Sequence, residues 1–396
     1  MSYMKLTIAG AVAAALAATA MPAMADNHDL TGSLPDELKA LYDNAAQGLM
    51  PSAYDDFEMP AKPWKWCHSE SYQGNPWRVS LTNELRRLVD GLIASGDASS
   101  FEVSDSNSDV SQQINQIRTF IESDCSIITA IPGSSTGLDD VIKASFDAGI
   151  PFVTVSAYVT SPYAINVDSD YGGWGRDMMA AIAKTLDGKG NILFVEGIAG
   201  APIVEMQRNG AESVLAEYPD LKIARSVNGN WTANVTKTVV LQALATNPAP
   251  IDAVWTSGSE SRVVAEAFAE AGRPAPLITG SITGDALGYW KENPDGYRFE
   301  GHAVLPGWNA QALFRVGHRI LEGQKPKLNV LMIPIPPVAG ADLGQWYQDC
   351  MTPDAVSVFP VPPTDPMPEE LMDAYFTNPA PTGFDYAQVP GACAAQ

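Results

Sequence analysis

The residues of this chain best placed to meet a small molecule are neutral hydrogen bonders and tryptophans, gathered in short polar segments. These lie at 71–78, 132–137, 156–161, 196–202, 228–233, 257–261 and 281–285, rich in Ser, Thr, Asn, Gly and Trp and poor in His, Lys and Cys. Such groups hold a ligand by hydrogen bonds and flat apolar faces, and they lack the paired nucleophile and base that covalent catalysis needs. His68-Ser69-Glu70 invites a hydrolytic reading, but neither a nucleophile elbow nor metal ligands accompany it. Buried or cleft-edge hydrogen bonding is expected there instead. Tyr171-Gly172-Gly173-Trp174-Gly175 is glycine-rich like a phosphate loop, yet no Lys-Ser/Thr follows it. It is expected to let the chain enter a helix. No CxxC or HxxxH spacing occurs. The residues therefore point to binding with no catalytic group, no metal and no cofactor.

Alternating apolar strands and amphipathic helices must position those segments. The spacing predicts strands at 65–70, 101–104, 126–131 and 151–155, with helices over 77–94 (Leu81, Leu85, Leu88, Leu92), 111–121 and 138–148. The rhythm then restarts. Helices at 171–186, 203–217, 234–246 and 262–271 alternate with strands at 191–195, 221–225, 251–256 and 276–279. Strands that are apolar throughout indicate parallel sheets covered on both faces. The expected fold is α/β: two doubly wound parallel-sheet lobes, with a break near 167–170. Residues 26–61 form an acidic leader with a short helix over 34–46, and the chain becomes Pro-rich after Gly323, with 336–396 irregular. In open sheets of this kind ligands sit beyond the carboxyl ends of the strands, where the polar segments fall.

Charge and targeting bound the partners. Residues 1–25 carry Lys5, an apolar run over 6–20 and the small-x-small end Ala23-Met24-Ala25, the pattern of a cleaved secretory signal peptide. The run is shorter than the roughly 20 residues that span a bilayer. No Cys follows the cut, so no lipid anchor is expected. The expected location is the periplasm of a Gram-negative bacterium. A net charge of −22 repels phosphate backbones and anionic lipids, which argues against nucleic-acid and membrane-surface partners, and no later segment is apolar for long enough for direct membrane insertion. The length suggests two domains. Four cysteines in an oxidising compartment suggest two disulfides. Of three possible pairings, Cys350 with Cys393 and Cys67 with Cys125 are preferred.

Several short segments carry a resemblance. They are Asn75-Pro76-Trp77 after the first strand, and Ala148-Gly149-Ile150-Pro151-Phe152-Val153-Thr154-Val155. Gly188-Lys189-Gly190-Asn191 and Glu196-Gly197-Ile198-Ala199-Gly200 flank a strand, and Asn230-Trp231, Ile251-Asp252-Ala253-Val254 and Leu321-Glu322-Gly323-Gln324-Lys325-Pro326 follow. In this order, over roughly 65 to 345, the chain resembles the type I periplasmic solute-binding proteins of ABC sugar importers, the ribose-binding-protein-like group. In that family three chain crossings form a hinge, and closure around ligand presents a surface to a membrane permease. The resemblance implies crossings near 167–170, 304–306 and 333–336. It implies an N-terminal lobe of 62–169 plus 305–333, a C-terminal lobe of 170–304 plus 334–345, and a disulfide-pinned Pro-rich tail at 346–396. It also implies a monomer that captures a carbohydrate-like molecule for ABC permease subunits; the alternative is a sensor showing its closed form to a chemoreceptor or sensor kinase.

Site residues transfer unevenly. Asn75 and Trp77 match the family's first-lobe amide and stacking aromatic, and Trp231 matches its second-lobe aromatic. Two flat faces on opposite lobes suit the C–H faces of a sugar ring. Ser156 stands in place of an Asp-Arg pair, Glu205 near an Arg, Gly258 at an Asn, Ile282 near an Asp and Val304 at a Gln. Tyr72, Arg78, Tyr158 and Glu70 have no counterpart, and a guanidinium offers forked donors to a carboxylate or to vicinal hydroxyls. The candidate ligand set is therefore Tyr72, Asn75, Trp77, Arg78, Ser156, Tyr158, Glu205, Trp231, Gly258 and Thr283. Trp255, Trp290 and Trp308 are assigned to core packing. The expected ligand is a sugar, polyol or related compound other than ribose.

Overall fold

Strands that are apolar at every position need cover on both faces, and the chain builds two sheets that have it. The structure, a computed structural model, describes residues 30–42, 48–247 and 249–394. The segment read as a signal peptide lies outside the described residues. After helix α1 (Asp36–Tyr42) come β1 (Trp64–Glu70), α2 (Pro76–Ser95), β2 (Ala98–Asp105), α3 (Val110–Glu122), β3 (Ile127–Ile131), α4 (Asp139–Asp147), β4 (Phe152–Val155) and β5 (Ala164–Ser169). A second series follows: α5 (Tyr171–Thr185), β6 (Lys189–Glu196), α6 (Pro202–Leu215), β7 (Asp220–Asn228), α7 (Ala233–Thr246) and β8 (Ala253–Thr256). It continues with α8 (Ser261–Glu270), β9 (Leu277–Ser281), α9 (Gly284–Glu292) and β10 (Arg298–His302). The chain then returns through α10 (Pro306–Leu321), β11 (Val330–Ile333) and β12 (Pro337–Val338).

The first sheet has the order β11-β5-β4-β3-β1-β2 and the second β12-β10-β9-β8-β6-β7. Every pair is parallel except the edge strand β12 against β10. The chain passes between the sheets three times, from β5 to α5, from β10 to α10 and from β11 to β12. The fold class expected from the sequence is the one found.

Strand β5 was not expected, because 164–169 mixes polar and apolar residues where a crossing was read. It is buried along its whole length. The polar Asn166 is tolerated because Thr154 Oγ1 and Val159 N both donate to its Oδ1 at 2.8 Å. Periodicity also left α9, β10 and β12 unread. The glycine-rich 171–175 stretch is the first turn and a half of α5, and it lets α5 lie close on α6. A Cβ on Gly175 would meet the Gln207 carbonyl oxygen at 1.8 Å.

The flanks are built in. Tyr42 of α1 donates to Val330 O at 2.8 Å, and Tyr54 Oη donates to Tyr163 O at 2.8 Å. Both disulfides, Cys67–Cys125 and Cys350–Cys393, are formed. The tail is less irregular than expected: it holds α11 (Leu343–Trp346) and α12 (Glu369–Tyr375) and buries Met351, Met367, Met372 and Tyr375.

Candidate functional site

Segments that follow β1 and each of β4 to β10 line one cavity of about 200 Å³, the place where open α/β sheets take ligands. The wall from the first sheet begins at the start of α2. Asn75 is its N-cap: Arg78 N donates to Asn75 Oδ1 at 3.0 Å, and Pro76 occupies the first helical position. Asn75 Nδ2 also donates to Tyr72 Oη at 3.2 Å. Trp77 lies beside the cavity with its Nε1 donating to Val304 O at 3.0 Å, a bond that joins α2 to the β10–α10 crossing.

Arg78 is engaged by its own wall through one guanidinium nitrogen. Its Nη1 donates to Glu70 Oε2 at 3.1 Å and to Ser71 Oγ at 2.9 Å, and the guanidinium lies 4.2 Å over the Tyr72 ring. Glu70 is completely buried; Thr82 Oγ1 donates to its Oε1 at 3.0 Å, and His68 Nε2 lies 3.2 Å from the same oxygen. His68 Nδ1 in turn sits 2.9 Å from Thr129 Oγ1. The His68-Ser69-Glu70 stretch is therefore a buried brace that neutralises and aims Arg78. Ser156, at φ 58°, donates through Oγ to Asn309 Oδ1 at 3.1 Å.

The wall from the second sheet is less self-contained. Trp231, at φ 52°, donates through Nε1 to Ser257 O and Oγ, both at 3.2 Å. Its ring packs on Gly258: a Cβ there would come within 2.6 Å of Trp231 Cδ1 and 2.4 Å of Glu260 Oε2. Lack of a side chain at 258 thus makes room for both an indole and a carboxylate. Glu260 takes only backbone N–H bonds, from itself and Ser259. Desolvation, helped by the charge of Asp285, outweighs them and pushes its carboxyl up to about 7. Arg262 offers it nothing, being spent on Asp285 Oδ2 (Nε at 2.8 Å) and on Glu266. Gln207 is completely buried, with Nε2 on Ser257 O at 3.3 Å and Oε1 without a partner among the described residues. Trp174 Nε1 is also without one. Thr283 caps α9 by accepting from Ala286 N at 3.3 Å.

Eight of the ten expected ligand residues line this cavity: Tyr72, Asn75, Trp77, Arg78, Ser156, Trp231, Gly258 and Thr283. Tyr158 and Glu205 lie off it. Glu205 is exposed, and Tyr158 has its phenol raised by burial first and then by the charges of Asp168 and Glu205. Trp255 is completely buried and stacked on Phe194, 4.7 Å between ring centres. The cavity also holds Tyr171, Trp174, Gln207, Glu260, Arg262 and Asp285, together with Val356 and Phe359 from the tail. Glu260 and Asp285 fall inside the polar segments 257–261 and 281–285, so the loops were legible where the individual residues were not. Val356 and Phe359 had no local signal.

A family described as periplasmic binding protein domain matches residues 69–324, more than half of the chain. A xylitol-binding protein of Mycolicibacterium smegmatis is 30% identical over 176 residues, which cover 44% of this chain and half the length of that relative. A galactofuranose-binding protein of Escherichia coli strain K12 is 26% identical over 220 residues, 52% of this chain and 67% of that one. Among solved structures, an ABC transporter solute-binding protein from Thermobispora bispora superposes with a TM-score of 0.69 at 25% identity, covering 78% of this chain and 94% of that one. A solute-binding protein from Bacillus halodurans with bound myo-inositol gives 0.63 at 19% identity, covering 72% and 98%, a likeness of fold alone.

Proposed function

The chain belongs to the periplasmic binding protein family, and from that premise we propose that it captures a sugar or polyol between its lobes and delivers it to an ABC permease. The observation that carries this reading is the cavity itself. Trp77 and Trp231 flank it on opposite walls, and it keeps Gln207 Oε1, Trp174 Nε1 and the Glu260 carboxylate without side-chain partners. A buried polar group left unsatisfied costs about 1–3 kcal/mol. A molecule with several hydroxyls on an apolar ring or chain gives the two unpaired atoms partners and adds a donor to the Glu260 carboxylate, while covering the indoles. Because it would touch both walls, it would stabilise the closed arrangement of the lobes. We take the moving bodies to be 62–169 plus 305–333 and 170–304 plus 334–345, working in the periplasm as a monomer that binds and performs no chemistry. Xylitol and galactofuranose, bound by two relatives according to their names, are of this class.

The test is a thermal-shift series with xylitol, myo-inositol, D-allose, L-arabinose and D-fructose on the purified exported chain. At least one should raise the melting temperature in a concentration-dependent way, since binding to the folded state alone adds stability. No shift with any of them overturns the reading.

A further inference from the structure

We propose that the C-terminal tail is part of the ligand-binding machinery, with Val356 and Phe359 forming a selective wall of the cavity and the Cys350–Cys393 loop holding that wall in place. This rests on the capture reading above. The tail reaches the cavity through helix α9, whose first residue follows the cavity-lining Thr283. Gly284 and Gly288, one turn apart, leave one face of α9 bare. A Cβ on Gly284 would come within 2.8 Å of Val358 Cβ, and one on Gly288 within 2.3 Å of the Thr352 carbonyl carbon. Gly284 N donates to Val358 O at 2.8 Å, which fixes the register. Val358 is buried by this docking, while Val356 and Phe359 line the cavity. Val356 remains 44% exposed, apolar surface that a ligand would cover.

Beyond the wall the tail crosses to the other lobe. Arg315 of α10 donates to Met367 O at 2.9 Å and pairs with Asp365 at 3.2 Å. Arg319 pairs with Asp373 at 2.6 Å and with Glu369. Phe384 then packs 4.9 Å from Phe314, and Tyr386 Oη lies 2.8 Å from His318 Nδ1. Helix α10 packs on the first sheet and α9 belongs to the second, so the disulfide-closed loop grips both. The segment carrying Val356 and Phe359 is thus held from two sides, and its side-chain volume sets how much room a ligand has.

The experiment compares the same five-compound series on the full wild-type chain and on the Val356→Ala/Phe359→Ala variant. The ligand-free variant should melt as wild type does. The dissociation constant of the best-binding compound should weaken about tenfold, with the rank order moving toward bulkier compounds. An unchanged constant, or a uniform loss with the order preserved, overturns the selective wall. If the double variant melts early, Phe359→Leu, which keeps an apolar wall, should still reorder the series, and a preserved order there overturns it equally. If no compound shifts wild type, the capture reading falls and takes this one with it.

Discussion

The two walls of the cavity differ in what their polar groups are doing before any ligand arrives. On the first-sheet side Asn75 caps a helix, Arg78 neutralises Glu70, and Trp77 spends its N–H on Val304. On the second-sheet side Gln207 Oε1 and the Glu260 carboxylate have no side-chain partner, and a glycine at 258 leaves space for the carboxylate. The first wall is a finished structure that happens to face a cavity; the second is unfinished without an occupant. Substitutions on the first wall should therefore cost folding stability, and those on the second should cost affinity.

Arg78→Ala is the harshest test of that division. Glu70 is completely buried and Arg78 is its arginine partner, so removing it leaves a buried carboxylate held only by Thr82 and beside His68. Losing one partner of a buried pair costs about 3 kcal/mol or more, visible as a lowered denaturation midpoint in the absence of any sugar. A normal midpoint combined with lost binding would move Arg78 to the other class and break the comparison. Trp231→Ala should show the opposite profile. Its indole covers Gly258 and presents a face to the cavity, so affinity should fall at least tenfold, about 1.4 kcal/mol, while the ligand-free melting curve changes little. Calorimetric titration with the compound that binds best checks it.

The same contrast explains what the sequence made legible. Asn75-Pro76-Trp77-Arg78 follows a strand and opens an amphipathic helix, so local pattern and function coincide there. Trp231 stands out as an aromatic in a polar loop. Glu260 and Gln207 carry no such mark: a carboxylate at a helix start is usually solvated, and only the cavity around Glu260 makes it special. Strand β5 escaped because Asn166 and Asp168 interrupt its apolar pattern, and the burial of Asn166 depends on partners elsewhere in the fold. Val356 and Phe359 escaped for a longer-range reason. Their place depends on two glycines of α9 some seventy residues earlier and on a disulfide that closes behind them.

Glu260 gives the finest discrimination between the walls, because its signature is a pH slope. Desolvation in the empty cavity pushes its carboxyl up to about 7, against an ordinary value near 4.5. Between those two values the folded chain holds a proton that the unfolded chain has released. Stability falls with rising pH wherever the folded state binds more protons, so Glu260 subtracts stability progressively from about pH 4.5 to about 7. Glu260→Gln should remove that component and raise the ligand-free melting temperature at pH 8 more than at pH 5. Binding should run the other way: a hydroxyl donor favours the ionised carboxylate, so affinity in the wild type should improve severalfold from pH 5.5 to 8 and stay flat in the variant. Asp285 and Arg262 also face this region, paired to one another at 2.8 Å. An equal slope in wild type and variant would show that the second wall is as self-contained as the first.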